Sequence, residues 1–182
     1  MQISSAVAWL EHLDCFHGDL RPPNILLDAA GDVKTCDFVN TTRRGGKNPG
    51  ATAPFHISDT AGPASEQFAI FSCIFAISKG HEPLHELDYN GQYEALYNAD
   101  FPTIEGMMLG CIIFGCWLAR YDTLDAVRSD IISALQGYEY KNGGSFMQTE
   151  IYNARVAECQ EFVERKMTKF ATKEYFGVGV VW

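Results

Sequence analysis

Apolar residues recur along much of the chain at the spacing of an α-helix. Ile3, Val7 and Leu10 fall on one helical face, so the pattern predicts an amphipathic helix over residues 2–13. Runs that are apolar nearly all round predict helices buried on every side. Together these patterns predict further helices at residues 68–78, 92–99, 104–120, 124–135 and roughly 150–172.

Near the start of the chain the helical spacing gives way to two short apolar runs, residues 24–28 and 33–38. The turn residues Ala30-Gly31-Asp32 separate them, which predicts a small β-hairpin. Residues 39–64 are rich in Gly, Thr, Pro, Asn and Arg without any period, so a long loop is predicted there. The fold class is therefore mainly α, with residues 1–136 as one domain and residues 137–182 as a C-terminal loop, amphipathic helix and tail.

The net charge limits the classes of binding partner, and the cysteine usage indicates the cellular compartment. The net charge of −9 argues against a nucleic-acid backbone or an anionic membrane as the main partner. The six cysteines include no C-x-x-C pair, and no secretory leader is visible, so we expect reduced thiols and an intracellular, cytoplasmic location. The apolar runs at 68–77 and 107–119 fall short of the ~20 residues of a membrane-spanning helix.

The most informative segment is FHGDLRPPNILLD, which is followed after the hairpin turn by VKTCDFVN. These segments resemble the catalytic loop and the metal-binding motif of protein kinases, H-R-D-L-x-x-x-N and D-F-G. The matching residues are His17, Asp19, Leu20 and Asn24 in the first motif and Asp37 and Phe38 in the second. Over about residues 3–135 the chain resembles the C-terminal lobe of a eukaryotic-type protein kinase domain, without the N-terminal lobe, and is similar to small kinase-like proteins of filamentous fungi.

The resemblance implies phosphoryl transfer from ATP to a protein Ser or Thr, a reaction that depends on positioning and charge neutralisation. Asp19 would accept the proton of the attacking hydroxyl. Asn24 and Asp37 would hold Mg²⁺, a hard cation that prefers oxygen ligands. Arg21 stands where many kinases carry a Lys that contacts the transferred phosphate. The implied cofactors are Mg²⁺ and ATP, and the implied partner is a protein, either substrate or binding partner.

Two positions depart from the kinase motifs. Gly18 replaces the Arg that normally pairs with a phosphorylated residue of the activation loop, so phosphates on that loop would lack a local partner. Val39 replaces the Gly of D-F-G and removes a backbone position free to reach positive φ. The candidate phosphorylation positions of the predicted loop are Thr41, Thr42, Ser58 and Thr60.

Glu66 admits two assignments within the resemblance. It is either the acidic residue of A-P-E or the acidic residue that begins the central helix and holds the catalytic loop. Phe68 and Phe71 follow at the spacing of D-x-W-x-x-G, which favours the second. Cys116 and Trp117 match a Cys-Trp pair of the later helices, where the expected role is core packing.

The sequence carries no G-x-G-x-x-G loop, no V-A-I-K lysine and no helix with the partner glutamate. Each lost electrostatic contact of this kind costs ~10²–10³ in rate. We therefore expect a kinase-like domain that is incomplete or inactive as this chain alone. The alternative is a non-catalytic pseudokinase module that binds another protein through its exposed, partly apolar lobe face.

A third hypothesis comes from His81-Glu82-Pro83-Leu84-His85, which matches H-E-x-x-H and suggests a zinc-dependent hydrolase. The motif needs both histidines on one helical face. A proline inside a helix costs ~3 kcal/mol, so Pro83 predicts that His81 and His85 do not share such a face.

Overall fold

The computed structural model describes residues 2–50 and 52–135. The chain divides into two compact units, Met1–Phe146 and Met147–Trp182, and the described residues lie in the first. The helix predicted at 150–172 lies outside the described residues, and the boundary at residue 136 stays a prediction. The described part is mainly helical with small antiparallel strands, as the sequence predicts.

The described residues form five α-helices and two sheets of two strands each. The helices are α1 (Gln2–His12), α2 (Pro63–Lys79), α3 (Tyr89–Tyr97), α4 (Gly110–Trp117) and α5 (Leu124–Leu135). The strands are β1 (Cys15–Phe16), β2 (Ile25–Leu27), β3 (Val33–Thr35) and β4 (Thr42–Arg43), and short 3₁₀ helices occupy Pro22–Asn24 and Phe38–Asn40. Both sheets are antiparallel, with β1 on β4 and β2 on β3.

Helix α2 lies at the centre of the core, which explains why its sequence is apolar nearly all round. Phe68, Ile70 and Phe71 are each 0% exposed, and the helix packs against α1, α4 and α5. The helix begins at Pro63 and ends at Gly80, whose left-handed φ of 78° terminates it. None of the helices in the described ranges is long and apolar enough to span a membrane.

Helix α1 packs against α5 through two polar contacts that join distant parts of the chain. The Arg128 guanidinium Nε donates to the Ser5 hydroxyl at 3.2 Å, and the Leu124 backbone N–H donates to the Glu11 carboxylate at 2.7 Å. The second contact gives the first turn of α5 an acceptor for one of the N–H groups that a helix start leaves unpaired. The N-terminal helix is therefore fixed by residues more than a hundred positions later.

Helix α4 is shorter than the predicted span of 104–120. Residues 104–109 form turns instead, with the Met107 N–H donating to the Ile104 carbonyl at 3.1 Å. Gly106 has a φ of 75°, a left-handed conformation that a helix interior does not accommodate. The apolar residues 107–109 therefore lie outside the helix and are not buried, so the apolar run overestimated its length.

The predicted long loop contains backbone pairing that its composition did not indicate. Strand β4 pairs with β1, and Lys47 forms an antiparallel bridge with Thr60. The Asn48 N–H donates to the Asp59 carbonyl at 2.9 Å. Phe55 is buried against Cys73 of α2, so the middle of the loop is attached to the core.

Trp117 gives a direct test of the α2–α4 packing. Its indole N–H donates to the Ser72 hydroxyl at 3.0 Å in a buried contact, and its ring stacks on Phe101 at 5.2 Å. Trp117→Phe should lower the free energy of unfolding by ~1–3 kcal/mol, since it removes a buried hydrogen bond and ring volume. Urea unfolding of Trp117→Phe, Ser72→Ala and the double variant checks this, because a real bond predicts a coupling energy of about 1 kcal/mol. Strictly additive losses would contradict the contact.

Candidate functional site

The loop between β1 and β2 places Asp19 and Asn24 in direct contact. Asn24 ends the 3₁₀ helix Pro22–Asn24 and is 8% exposed. Its side-chain amide Nδ2 donates to the Asp19 backbone carbonyl at 2.8 Å and to the Asp19 carboxylate at 3.4 Å. The two prolines favour this local shape, because the first holds Arg21 in an extended conformation and both fix φ for the 3₁₀ turn.

His17 fixes the same loop from inside the protein. Its ring is fully buried, with Nε2 2.9 Å from the Cys36 carbonyl and Nδ1 3.4 Å from the Asp19 backbone N–H. Because the backbone N–H can only donate, Nδ1 accepts and Nε2 carries the proton. Burial lowers the pKa of His17, against the charges of Asp19 and Asp37 that raise it, so the imidazole is neutral at pH 7.

Asp37 begins the 3₁₀ helix Phe38–Asn40 and has a left-handed backbone, with φ 60° and ψ 66°. Aspartate tolerates this conformation better than most residues. The preceding residue, Cys36, bonds through its carbonyl to His17 and through its N–H to the Asn24 carbonyl at 3.0 Å. The structure thus places Asp37 directly after the residue that joins His17 to Asn24.

Where D-F-G has glycine, Val39 removes a backbone position free to reach positive φ. In the structure, the left-handed residue of this turn is Asp37, and Val39 lies in the 3₁₀ helix with 82% of its surface exposed. The turn therefore forms without glycine at position 39, because the strained conformation falls two residues earlier.

Asp19 keeps one carboxylate oxygen without a hydrogen bond. Its Oδ1 is buried and has no hydrogen-bond partner within the described ranges, and the Arg21 Nε lies 3.9 Å away. The Arg21 side chain is 41% exposed, so the ion pair contributes little to stability. Arg21 and Asp19 nevertheless lie side by side, with the buried Oδ1 of Asp19 as the oxygen nearer the guanidinium.

Glu66 anchors the loop to the first turn of α2. Its carboxylate oxygen Oε1 accepts the backbone N–H of Gly18 at 2.9 Å, a buried bond between residues 48 positions apart. Burial raises the pKa of Glu66 to about 7, although the N–H groups of Gly18 and His17 act to lower it. This contact confirms the second assignment of Glu66, as the acidic residue that holds the loop.

Gly18 lies where the neighbouring loop comes closest. Its φ is 78°, and a Cβ there would lie 2.5 Å from the Asn40 carbonyl oxygen and 3.0 Å from the Asn48 side-chain oxygen. Real Cβ atoms do not approach backbone oxygen so closely, so only glycine fits. Asn48 could not be predicted as part of this contact, since a buried amide in a Gly-rich loop has no distinguishing sequence pattern.

The His81–His85 segment is not helical, which confirms that the two histidines share no helical face. Their rings nevertheless lie together, with centroids 3.9 Å apart and a tilt of 39°. His81 Nδ1 contacts the Glu82 carbonyl, and His85 Nδ1 lies 3.2 Å from the Glu86 carboxylate. The part of the chain that the structure describes contains no group of three or more His, Cys, Asp or Glu arranged to hold a metal ion.

Apolar side chains beside the loop are open to solvent. On the hairpin, Leu26 is 49% exposed and Leu27 is 72% exposed. On the turn after Asp37, Phe38 is 47% exposed and contacts His17 with ring centroids 5.0 Å apart. With Val39, these are exposed apolar side chains that follow Asn24 and Asp37 closely in the chain.

Comparison with known proteins identifies kinase relatives over part of the chain. No family model matches. The chain is 31% identical over 111 residues to CBL-interacting serine/threonine-protein kinase 24 of Arabidopsis thaliana, covering 55% of this chain and 25% of that kinase. It is 29% identical over 110 residues to CBL-interacting protein kinase 29 of Oryza sativa subsp. japonica, with the same coverage of each chain.

A third relative, CBL-interacting serine/threonine-protein kinase 19 of Arabidopsis thaliana, is 29% identical over 114 residues, covering 55% of this chain and 23% of the kinase. The chain thus spans about a quarter of the length of the curated relatives it matches. Homology to CBL-interacting protein kinases over about half of the chain, together with the loop geometry, supports a kinase-like domain.

Proposed function

We propose that residues 17–38 are the catalytic loop and metal-binding turn of a protein kinase-like C-terminal lobe, whose chemistry is phosphoryl transfer from ATP to protein Ser or Thr. The observation that carries the proposal is the Asn24 amide donating to both the carbonyl and the carboxylate of Asp19. This contact holds a carboxylate and an amide oxygen at one edge of the helical lobe. Two buried side chains hold the loop from inside the protein. The neutral His17 ring hydrogen-bonds the Cys36 carbonyl, and the Glu66 carboxylate accepts the Gly18 N–H.

The donor set suits Mg²⁺, which prefers carboxylate and amide oxygens. Asp37 is exposed and offers its carboxylate, and the Asn24 amide oxygen remains available because the amide nitrogen makes the contacts to Asp19. The bound metal would neutralise phosphate charge. Asp19 would accept the proton of a substrate hydroxyl at Oδ1, the buried oxygen without a hydrogen bond within the described ranges. Arg21 would contact the phosphate.

We expect this chain by itself to be incomplete as a kinase. Its 182 residues contain no glycine-rich phosphate loop and no V-A-I-K lysine, the groups that grip the nucleotide. Mg²⁺ would then bind weakly through Asp37 and Asn24, and ATP would add little affinity.

Mn²⁺ is a suitable probe for metal binding by Asp37 and Asn24, because its binding can be followed by water proton relaxation. Asp37→Asn should weaken Mn²⁺ binding by ~10-fold or more, since it removes the only full charge among the two proposed ligands. Asp59→Asn is the matched control: the Asp59 side chain is fully exposed in another loop, so that variant should bind Mn²⁺ like the unmodified protein. Equal Mn²⁺ affinity in all three proteins would contradict the metal assignment.

A separate measurement tests whether the chain binds nucleotide by itself. Mg²⁺-ATP is expected to leave the midpoint of thermal unfolding unchanged within about a degree, because a ligand raises stability only in proportion to its occupancy. A clear rise that Asp37→Ala abolishes would mean that the chain binds nucleotide by itself.

The second candidate is a pseudokinase module that binds a protein without transferring phosphate. The observation that favours it is the exposure of apolar side chains close in sequence to Asn24 and Asp37, with Leu27 72% exposed and Val39 82% exposed. Exposed apolar surface of this kind is typical of interaction sites. A Leu27→Ser, Val39→Ser variant that loses a partner, while Asp37→Asn keeps it, would support this candidate over phosphoryl transfer.

The zinc-hydrolase hypothesis has the weakest support. His81 and His85 stack, but both Nδ1 atoms already face oxygen acceptors, and the segment is not helical. Less than stoichiometric zinc in the purified protein would end it.

A further inference from the structure

Helix α3 carries three exposed tyrosines at four-residue intervals, Tyr89, Tyr93 and Tyr97, which we call the tyrosine ridge. They are 57%, 54% and 81% exposed. Residues four apart are neighbours on a helix surface, so the three rings follow one face. The buried residues of α3 are Gln92 and Leu96, and Gln92 Nε2 donates to the Leu84 carbonyl at 3.2 Å in a buried bond. The helix is therefore attached by one side and presents its aromatic side to solvent.

The surroundings of the ridge are strongly acidic. Residues 80–119 contain no Lys and no Arg, although the chain has 14 of them. The same span contains six carboxylates, all on exposed residues: Glu82, Glu86, Asp88, Glu94, Asp100 and Glu105. Asp88 also caps α3 by accepting the Gly91 N–H at 2.8 Å, so negative charge begins at the first turn of the helix. The Asp, Glu, Lys and Arg side chains within this span are therefore all negative.

Aromatic rings and carboxylates together select one class of ligand. The face of a tyrosine ring attracts cations, and guanidinium stacks on it better than ammonium does. Tyrosine also contributes large contact area with little loss of side-chain entropy, which is why it is enriched at interfaces. Carboxylates around the rings raise the local concentration of cationic partners and orient them.

We propose that the tyrosine ridge of α3 docks an arginine-rich segment of a partner protein. Guanidinium groups stack on the tyrosine rings, and neighbouring basic side chains pair with Glu94 and with the carboxylates that flank the helix. The ridge shares no residue with the Asp19–Asn24–Asp37 site, so this proposal does not depend on the kinase-like function.

A second copy of this chain is a poorer occupant. Its arginine pair, Arg43 and Arg44, is already engaged: Arg43 lies 4.0 Å from Asp14, and Arg44 lies 3.5 Å from Glu11 and 3.7 Å from Asp14. Docking these arginines on another molecule would break their ion pairs with Asp14 and with Glu11 of α1.

The test uses a fluorescein-labelled peptide of four Arg-Gly repeats at 150 mM salt, compared with matched Lys-Gly and Glu-Gly peptides. We expect binding in the order Arg over Lys, and none to the Glu peptide. The double variant Tyr93→Ser, Tyr97→Ser should weaken binding of the Arg peptide about tenfold without changing net charge, since each exposed cation–aromatic contact is worth a few-fold in affinity. Glu94→Gln should weaken it by a few-fold, and Asp59→Asn should leave it unchanged.

Chemical-shift mapping on ¹⁵N-labelled wild-type protein gives a second measurement that does not depend on any variant folding correctly. The Arg peptide should shift the amides of residues 88–100 before any others. The proposal is overturned if the tyrosine variant binds as well as the wild type, which would mean unspecific attraction to an acidic protein. It is also overturned if the chemical-shift changes map to other residues. If the chain self-associates and the ridge variants abolish that association, the occupant is a second copy and the proposal is likewise overturned.

Discussion

Gly18→Ala should lower the free energy of unfolding by about 3 kcal/mol, a large effect for a single methyl group. Two costs add. The φ of 78° lies in the left-handed region, where a Cβ costs about 1–2 kcal/mol. The new Cβ would also lie 2.5 Å from the Asn40 carbonyl oxygen, and forcing atoms into packed space costs about 1–3 kcal/mol more.

Gly31→Ala is the matched control, because Gly31 has a similar φ of 83° but nothing within 4 Å of its Cβ position. That variant should lose only the conformational cost of about 1–2 kcal/mol. The difference between the two variants, measured by urea unfolding, isolates the contact between the Gly18 loop and the loop carrying Asn40 and Asn48. Equal losses would show that the loops do not approach as described.

The same geometry bears on the arginine that kinase motifs place at this position. Gly18→Arg would meet the Asn40 carbonyl before its guanidinium reached any phosphate. In this protein, Asn40 and Asn48 pack directly against the loop that carries Gly18.

Glu66→Gln should change how stability depends on pH. In the folded protein burial raises the pKa of Glu66 from its usual 4.5 to about 7, so the folded state holds a proton that the unfolded chain has released over this range. The stabilising contribution is therefore complete below about pH 4.5 and is lost as pH rises to about 7. The loss amounts to about 3 kcal/mol.

The glutamine variant keeps an oxygen that can accept the Gly18 N–H but does not ionise. As pH rises from 4.5 to 8, the free energy of unfolding of this variant should increase by about 3 kcal/mol relative to that of the wild type. His17, whose pKa is lowered by burial, acts in the opposite direction below its usual 6.5, but it is present in both proteins and cancels in the difference. A difference that stays constant across this range would mean that Glu66 is already charged, or is solvated, in the folded protein.

Sequence patterns predicted the elements whose signals are local. The spacing of Leu124, Val127 and Ile131 marked α5, and its predicted bounds of 124–135 match the structure. The hairpin was found because Ala30-Gly31-Asp32 is a strong turn between two apolar runs. Local chemistry of this kind needs no knowledge of the tertiary fold.

Features that depend on distant contacts could not be predicted in this way. Strands β1 and β4 have two residues each and show no period, and their pairing joins Cys15 to Arg43. At the candidate site, the kinase-like motif predicted which residues matter, and Glu66 was assigned correctly from its spacing. The buried Asn48 and the left-handed Asp37 were not predicted, because both follow from how one loop packs on another.

The contact between α1 and α5 has a consequence for how the protein is made. Arg128 and Ser5 are 123 residues apart, and Leu124 and Glu11 are 113 apart. At ribosomal speeds of roughly 5–20 residues per second, α1 is synthesised about 6–25 s before its packing partner α5. During that interval the face of α1 that packs against α5 has no α5 to cover it. The nascent chain therefore exposes an apolar helix surface to chaperones until nearly all of the described lobe has been translated.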